Sequence, residues 1–152
     1  MPKSRAVLIY WLPVLIWMTC IFTASSDRLS FQHSSQFIAP IIRWLFPHFS
    51  NQAVANGVFV VRKCAHLTEY ALLALLLWRA IRKPVKADTR PWRWPEARLA
   101  LGLVVLYSAT DEFHQTFVPS RQGSVWDVLL DSTGAALGLL LLWIVGRWQK
   151  SW

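Results

Sequence analysis

Carboxylates set inside long apolar runs constrain this chain more than any other feature. Four runs, at residues 6–24, 58–78, 99–118 and 124–145, are each close to the ~20 residues that cross a bilayer core. Of the eight acidic residues, Glu69, Asp111, Glu112, Asp127 and Asp131 fall inside these runs. A carboxylate at the centre of a lipid-embedded helix costs about 2.5–3.5 kcal/mol. Lipid also leaves no partner for unpaired backbone groups, so only helices or closed barrels span it. The spacing predicts an all-α, polytopic membrane protein. It is expected to be a four-transmembrane-helix bundle forming one domain, with the carboxylates turned inward.

Direction follows from the loop charges. Residues 79–98 carry Arg79, Arg82, Lys83, Lys86, Arg90, Arg93 and Arg98, with Pro84, Pro91 and Pro95 marking an irregular connector. Lys3 and Arg5 precede the first run, and Arg147 and Lys150 follow the last. The positive-inside rule puts all three segments on the cytoplasmic side of a bacterial inner membrane, and an even span count agrees with that. A net charge of +8 would suggest nucleic acid in a soluble protein. Here the charge is a topology signal and an attraction to anionic lipid at the cytoplasmic loop. The first run competes with a cleaved signal peptide, but it is long for one and no small-x-small site follows, so it is read as retained, with Pro13 a possible kink site. Between the first two spans, residues 25–57 face outward. Within them Phe37, Ile41, Trp44 and Leu45 recur at helical spacing, as do Ile38, Ile42 and Phe49, while Arg43, Pro40 and Pro47 make a poor span. An interfacial or re-entrant helix is expected there, as a tether or as a lid. Cys20 and Cys64 read as two buried free thiols, with a disulfide as the alternative.

Depth and phase then gather the polar residues. Lys63, His66 and Glu69 come early in a span that runs inward. Asp111, Glu112 and Gln115 come late in one that runs outward, and Asp127 and Asp131 come early in the last. All lie in the outer halves. Lys63, His66 and Glu69 step by three and share an arc of roughly 120°, and Tyr70 follows His66 by one turn. Asp127, Asp131, Gly134 and Gly138 form one stripe, polar toward the outside and small deeper in, where glycine permits close helix approach. Facing stripes would enclose a wet cavity open to the outside. A purely structural reading pairs Glu69 with Lys63 or Arg121, and Asp127 with another base.

These residues resemble a known family. The run Lys63-x-x-His66-x-x-Glu69-Tyr70, the run Asp111-Glu112-x-x-Gln115 followed by Arg121, and Asp127-x-x-x-Asp131-x-x-Gly134-x-x-x-Gly138 look like the three motifs of the VanZ-like family of bacterial membrane proteins. Ser25 and Ser26 resemble the serines that close its first span. Ser120 stands where the family often has glycine, and Asp131 where asparagine is common. The resemblance covers nearly the whole chain. It implies a helical membrane fold and a cell-envelope setting, and the family's founding member is associated with low-level teicoplanin resistance.

Two function classes fit the cluster. In the first it is an enzyme of the outer leaflet, with His66, Glu69, Asp111, Glu112 and Asp127 as acids and bases. Lys63 and Arg121 would hold a phosphate or carboxylate, and Tyr70, Gln115, Asp131 and Ser25 would complete the binding set. The substrate would be a membrane lipid, a lipid-linked envelope precursor or a glycopeptide-related molecule, hydrolysed or relieved of a group. In the second the same residues recognise such a molecule, or a partner, without turnover. A transporter is disfavoured, because the inner half of each span is apolar and no through-path is visible. His66, Glu69, Asp111, Glu112, His114 and Asp127 are competent metal ligands, but Lys63 and Arg121 would oppose a cation, so no metal or cofactor is assigned.

Overall fold

The computed structural model describes residues 3–25, 31–84, 88, 90–118 and 123–149, except for the side chains of 3–6 and 31–34. Among them are five helices and no strand: α1 (Lys3–Ala24), α2 (Phe31–Leu45), α3 (Asn51–Arg82), α4 (Trp94–Gln115) and α5 (Val125–Trp148). Arg121 lies outside the described residues. α1 continues through Pro13 and α2 through Pro40.

Three helices are long and apolar enough to cross a membrane: α1 over Val7–Ala24, α3 and α5. α4 matches α1 in length but carries Glu96 and Arg98 near its start and Asp111, Glu112, His114 and Gln115 at its end. Its polar residues turn inward all the same. Asp111, Glu112 and Gln115 are buried, while Leu99, Leu106 and Phe113 are exposed.

α3 is the hub, packing against each of the other four helices and most extensively against α5. It runs well past the expected 58–78. Ser50 caps its first turn by accepting from the Ala53 N–H at 3.2 Å. Ile42 of α2 packs with Val54 and Val58 in a small satellite core, so the stretch before residue 58 gains a packed face and stays helical. At the far end the chain turns at Lys83, whose φ of 49° is left-handed, just before Pro84. α2 confirms the helical spacing in the outer segment. Its Ile38–Ile42 side meets α3, while Phe37, Ile41, Trp44 and Leu45 remain exposed.

The α3–α5 crossing is a contact of backbone on backbone. A Cβ added at Gly134 would lie 2.4 Å from the Leu67 carbonyl oxygen, and one at Gly138 would lie 3.1 Å from Ala71 Cα. Only glycine permits this approach. Elsewhere the main core is built from Tyr70, Leu73, Ala74, Val104, Ala100 and Ala135, which are all fully buried. Small residues again predominate at the helix contacts.

The end of the bundle where α3 closes and α4 begins is tied by Arg82. Its guanidinium donates to Asp88 at 3.3 Å, Glu96 at 3.4 Å and the carbonyls of Pro91 at 3.1 Å and Arg90 at 2.5 Å, and it lies over the Trp78 ring. The connector expected to be irregular is therefore wrapped around a buried cation. Tyr10 donates to the Pro84 carbonyl and Arg79 to that of Ile9, which draws the start of α1 to the same end. The cysteines correct an expectation. Both are free, but both are exposed on the flanks of the bundle rather than buried, because Cys20 and Cys64 lie off the packed faces of α1 and α3.

Two outcomes follow. Gly134→Leu should destabilise the bundle by about 1–3 kcal/mol or more, because the clash is with backbone. Gly102→Ala should stay within about 1 kcal/mol, since nothing lies within 4 Å of a Cβ there. Thermal unfolding in detergent compares the two, and equal behaviour would contradict the crossing. Hydrogen bonds from Arg90, helped by the Arg82 charge, hold the Asp88 carboxyl well below the usual carboxylate range. Its contribution is fully present above the ordinary pKa of about 3.9 and is lost progressively as pH falls from there toward the lower folded value. Hydrogen exchange at Trp92–Trp94 should stay slow from pH 7 down to about 4, and Asp88→Asn should speed it at every pH.

Candidate functional site

The polar stripes of α3, α4 and α5 meet at the end of the bundle opposite the Arg82 clasp. The glycine crossing sets their register. His66 precedes Leu67, and Asp131 sits one turn before Gly134, so the two side chains are placed across the close α3–α5 contact. His66 Nδ1 lies 3.6 Å from Asp131 Oδ1. One turn further out Lys63 pairs with Asp127, and its ammonium group also lies 5.3 Å from the centre of the Phe59 ring. The structural reading paired Asp127 with a base, and Lys63 is that base. Phase alone puts Lys63 and Glu69 on one arc, but the α5 carboxylate is the one that faces the ammonium.

Asp131 is fully buried, and its Oδ2 accepts from Ser108 of α4 at 2.7 Å. Asp111 is 2% exposed, and its Oδ2 receives three donors: Ser25 at 2.7 Å, Gln115 at 3.1 Å and Tyr70 at 3.2 Å. Ser25, Gln115 and Tyr70, read from the sequence as binding residues, thus converge on one carboxylate oxygen. Gln115 also donates to Glu112 Oε1 at 3.1 Å, and the other Glu112 oxygen accepts the Ser124 N–H at 2.9 Å. That last bond requires Gly123, where a Cβ would lie 2.2 Å from the Glu112 carbonyl oxygen.

An open, wetted cavity was expected from the stripes. Instead Asp111, Glu112, Gln115 and Asp131 are closed in by packing, each at most 4% exposed. Exposure is confined to a rim, where the side chains of Lys63, Asp127 and His66 are 28%, 25% and 18% accessible. Buried polar atoms are normally satisfied. Here His66 Nδ1, Asp131 Oδ1 and Asp111 Oδ1 have no hydrogen-bond partner among the described residues. Glu69 is half-buried beside this group, and its main-chain carbonyl takes the Trp17 indole N–H at 2.9 Å. The His114 ring lies tilted against Phe22 of α1, with ring centroids 4.5 Å apart. Among the described residues no three His, Cys, Asp or Glu side chains converge as a metal set.

Sequence reasoning missed Ser108, Ser124 and Tyr107. Ser108 lies one turn before Asp111 on the same face, and a hydroxyl in an apolar run at that spacing is the available signal. Ser124 acts through its main chain and also caps α5, so only its position before an apolar run marks it. Tyr107 donates to the Met18 carbonyl at 2.6 Å and holds α1 to α4.

No curated protein matches this sequence. No solved structure matches it either. Residues 10–146 match the VanZ/LLP1 family, nearly the whole chain and all of the polar cluster. The chain belongs to the VanZ/LLP1 family.

Proposed function

We propose that this protein is a four-span enzyme of the bacterial cytoplasmic membrane, with both termini and the Arg82 clasp on the cytoplasmic side. It acts by general acid–base chemistry on a lipid-linked or glycopeptide-related envelope molecule, by hydrolysis or group transfer. The inward turn of the polar residues of α4, against its exposed Leu106 and Phe113, supports counting α4 as a span. The exposed Phe37, Ile41 and Trp44 suit α2 to the outer interface. Exposed Arg93, Arg98 and Arg147 at the clasp end suit anionic lipid.

The observation that carries the reading is the His66–Asp131 pair. A buried aspartate, fixed by Ser108, faces a half-buried imidazole whose Nδ1 is otherwise unsatisfied. Such an aspartate orients an imidazole and supports positive charge on it, which is what a general base needs. Lys63, on the rim beside it, would hold a phosphate or carboxylate of the substrate by trading its bond to Asp127. Asp127 and Glu69 are then the carboxylates nearest the entering group. Asp111 and Glu112, with Tyr70, Gln115 and Ser25, form the floor and position the helices. Arg121, between α4 and α5 in the sequence, is proposed as a second anion-binding group.

A second reading is favoured by Asp111. A carboxylate with three donors on one oxygen and almost no exposure is built to hold three helices, not to react. If the whole cluster acts this way, the protein binds an envelope lipid or partner without turnover, and any link to teicoplanin tolerance is through that binding.

Mass spectrometry of envelope lipids in cells with and without the gene separates the two. His66→Ala and Asp131→Asn, at wild-type protein levels, should leave the deletion's lipid profile unchanged, with turnover reduced about 10²–10⁴-fold. Restoration of the wild-type profile by both variants would exclude acid–base catalysis and leave the binding reading. Ser108→Ala, which only loosens Asp131, should give an intermediate profile.

A further inference from the structure

One short sequence pattern occurs twice and plays no part in the polar cluster. Trp94-x-x-x-Arg98 opens α4, and Trp143-x-x-x-Arg147 closes α5. The two helices run in opposite directions. Ser124, before α5, meets Glu112 near the end of α4, while Trp143 meets Trp94 with ring centroids 5.7 Å apart. Helical side chains lean toward the N-terminal end of their own helix. Arg98 therefore leans back along α4 toward Trp94, and Arg147 leans back along α5 toward Trp143. On antiparallel helices these opposite leanings lead to one layer, that of the tryptophan pair. The Arg147 guanidinium does lie over the Trp143 ring, 5.8 Å from its centre. Arg98 lines a cleft of about 240 Å³ between α4 and α5 together with Trp94. Deeper in, the cleft is lined only by Ala97, Leu101, Ala136, Leu139 and Leu140.

We infer that this cleft binds one anionic glycerophospholipid of the cytoplasmic leaflet, with its phosphate held by Arg98 and Arg147 and the upper part of an acyl chain laid between α4 and α5. Charge complementarity carries the inference, because the cations at this end are not equivalent. Arg82, Arg90 and Arg93 are ion-paired with Asp88 or Glu96, and Arg79 donates to the Ile9 carbonyl and lies over the Tyr10 ring. Among the described residues Arg98, Arg147 and Lys83 have no carboxylate partner. Of these, Arg98 and Arg147 belong to the tryptophan layer at the mouth of the cleft, whereas Lys83 lies beyond the end of α3. Guanidinium groups suit a phosphate diester, to which they donate in pairs. Glu96, the carboxylate nearest Arg98 in sequence, is taken by Arg82 and Arg93, so it is not free to receive the ammonium of a zwitterionic headgroup. A net-negative headgroup is therefore favoured. Depth agrees with the leaflet. Tryptophan pairs mark the headgroup level, and from Trp94 to Leu101 the cleft follows α4 for seven residues, about 10 Å at 1.5 Å per residue. It thus begins at the interface and ends within the ~15 Å half of a ~30 Å core.

The inference rests on the topology proposed above, which sets this end at the cytoplasmic leaflet, and is independent of the acid–base reading. Its test measures lipid occupancy. The full chain is reconstituted in vesicles of phosphatidylglycerol and phosphatidylcholine in equal amounts, and lipid retained after detergent release is counted by native mass spectrometry. Wild type should keep one phosphatidylglycerol in preference to phosphatidylcholine. Arg98→Gln and Arg147→Gln should each lower that retention about tenfold, the loss of one charge-assisted contact. Lys83→Gln, which removes an equal charge from the same end, should change it little. Ala136→Trp fills the cleft and should also release the lipid, while Leu129→Trp, on an exposed flank nearer the polar cluster, should not. An equal effect of Lys83→Gln and Arg98→Gln would overturn the proposal by showing a diffuse basic surface. So would phosphatidylcholine kept as well as phosphatidylglycerol, or displacement of the lipid by inorganic phosphate alone. Topology is read separately, with Gln149→Cys in a chain whose Cys20 and Cys64 are replaced by serine. Labelling of that cysteine by a membrane-impermeant maleimide in intact cells would overturn the cytoplasmic leaflet and the topology together. Labelling only after the cells are opened, with retention unchanged in the arginine variants, would overturn the lipid site and leave the topology standing.

Discussion

The close crossing of α3 and α5 is the contact on which the polar cluster depends. Glycine at positions 134 and 138 lets the α5 backbone rest on Leu67 and Ala71. With that approach fixed, a step of three residues back along α5 brings Asp131 to His66, and four more bring Asp127 to Lys63. The electrostatic pairs therefore do not need to hold the helices together. A residue with any side chain at position 134 would separate the helices and pull both pairs apart at once. This division suits a membrane setting, where packing of small residues is the main association force and buried charge is a cost.

The carboxylates are disposed unequally. Asp111 and Glu112 are saturated with donors on at least one oxygen and are tied into α1 and the α5 cap. Asp131 has one satisfied oxygen and one that faces only an imidazole. Asp127 is at the rim with Lys63. Within a single buried group, donors are thus shared out unevenly among the carboxylates, with Asp127 at the exposed rim.

Much of this was legible in the sequence. The helical class, the phased stripes and the Gly134–Gly138 contact follow from periodicity and spacing, and the family from the resemblance of three motifs. Phase gives the face a side chain occupies, not its partner, and so it could not tell that the base meeting Asp127 is Lys63. It could not show burial either, because a stripe drawn on three helices looks the same around an open cavity and around a closed core. The polar stretch before residue 58 reads as loop until the packing of Ile42 on Val54 and Val58 makes it helix. Arg82 was counted as a topology charge, and nothing in its local sequence marks it as buried. Ser108 went unnoticed because a lone hydroxyl in an apolar run costs little and signals little.

The Arg82 clasp has one further consequence. It staples α3 to the start of α4 with bonds to two carboxylates and two carbonyls, while Tyr10 and Arg79 bind α1 to the same end. The Ser25–Asp111 and Lys63–Asp127 pairs bridge the other end. A bundle pinned at both ends acts like a truss: a load on one fastening is carried along the helices to the other instead of being taken up by splaying.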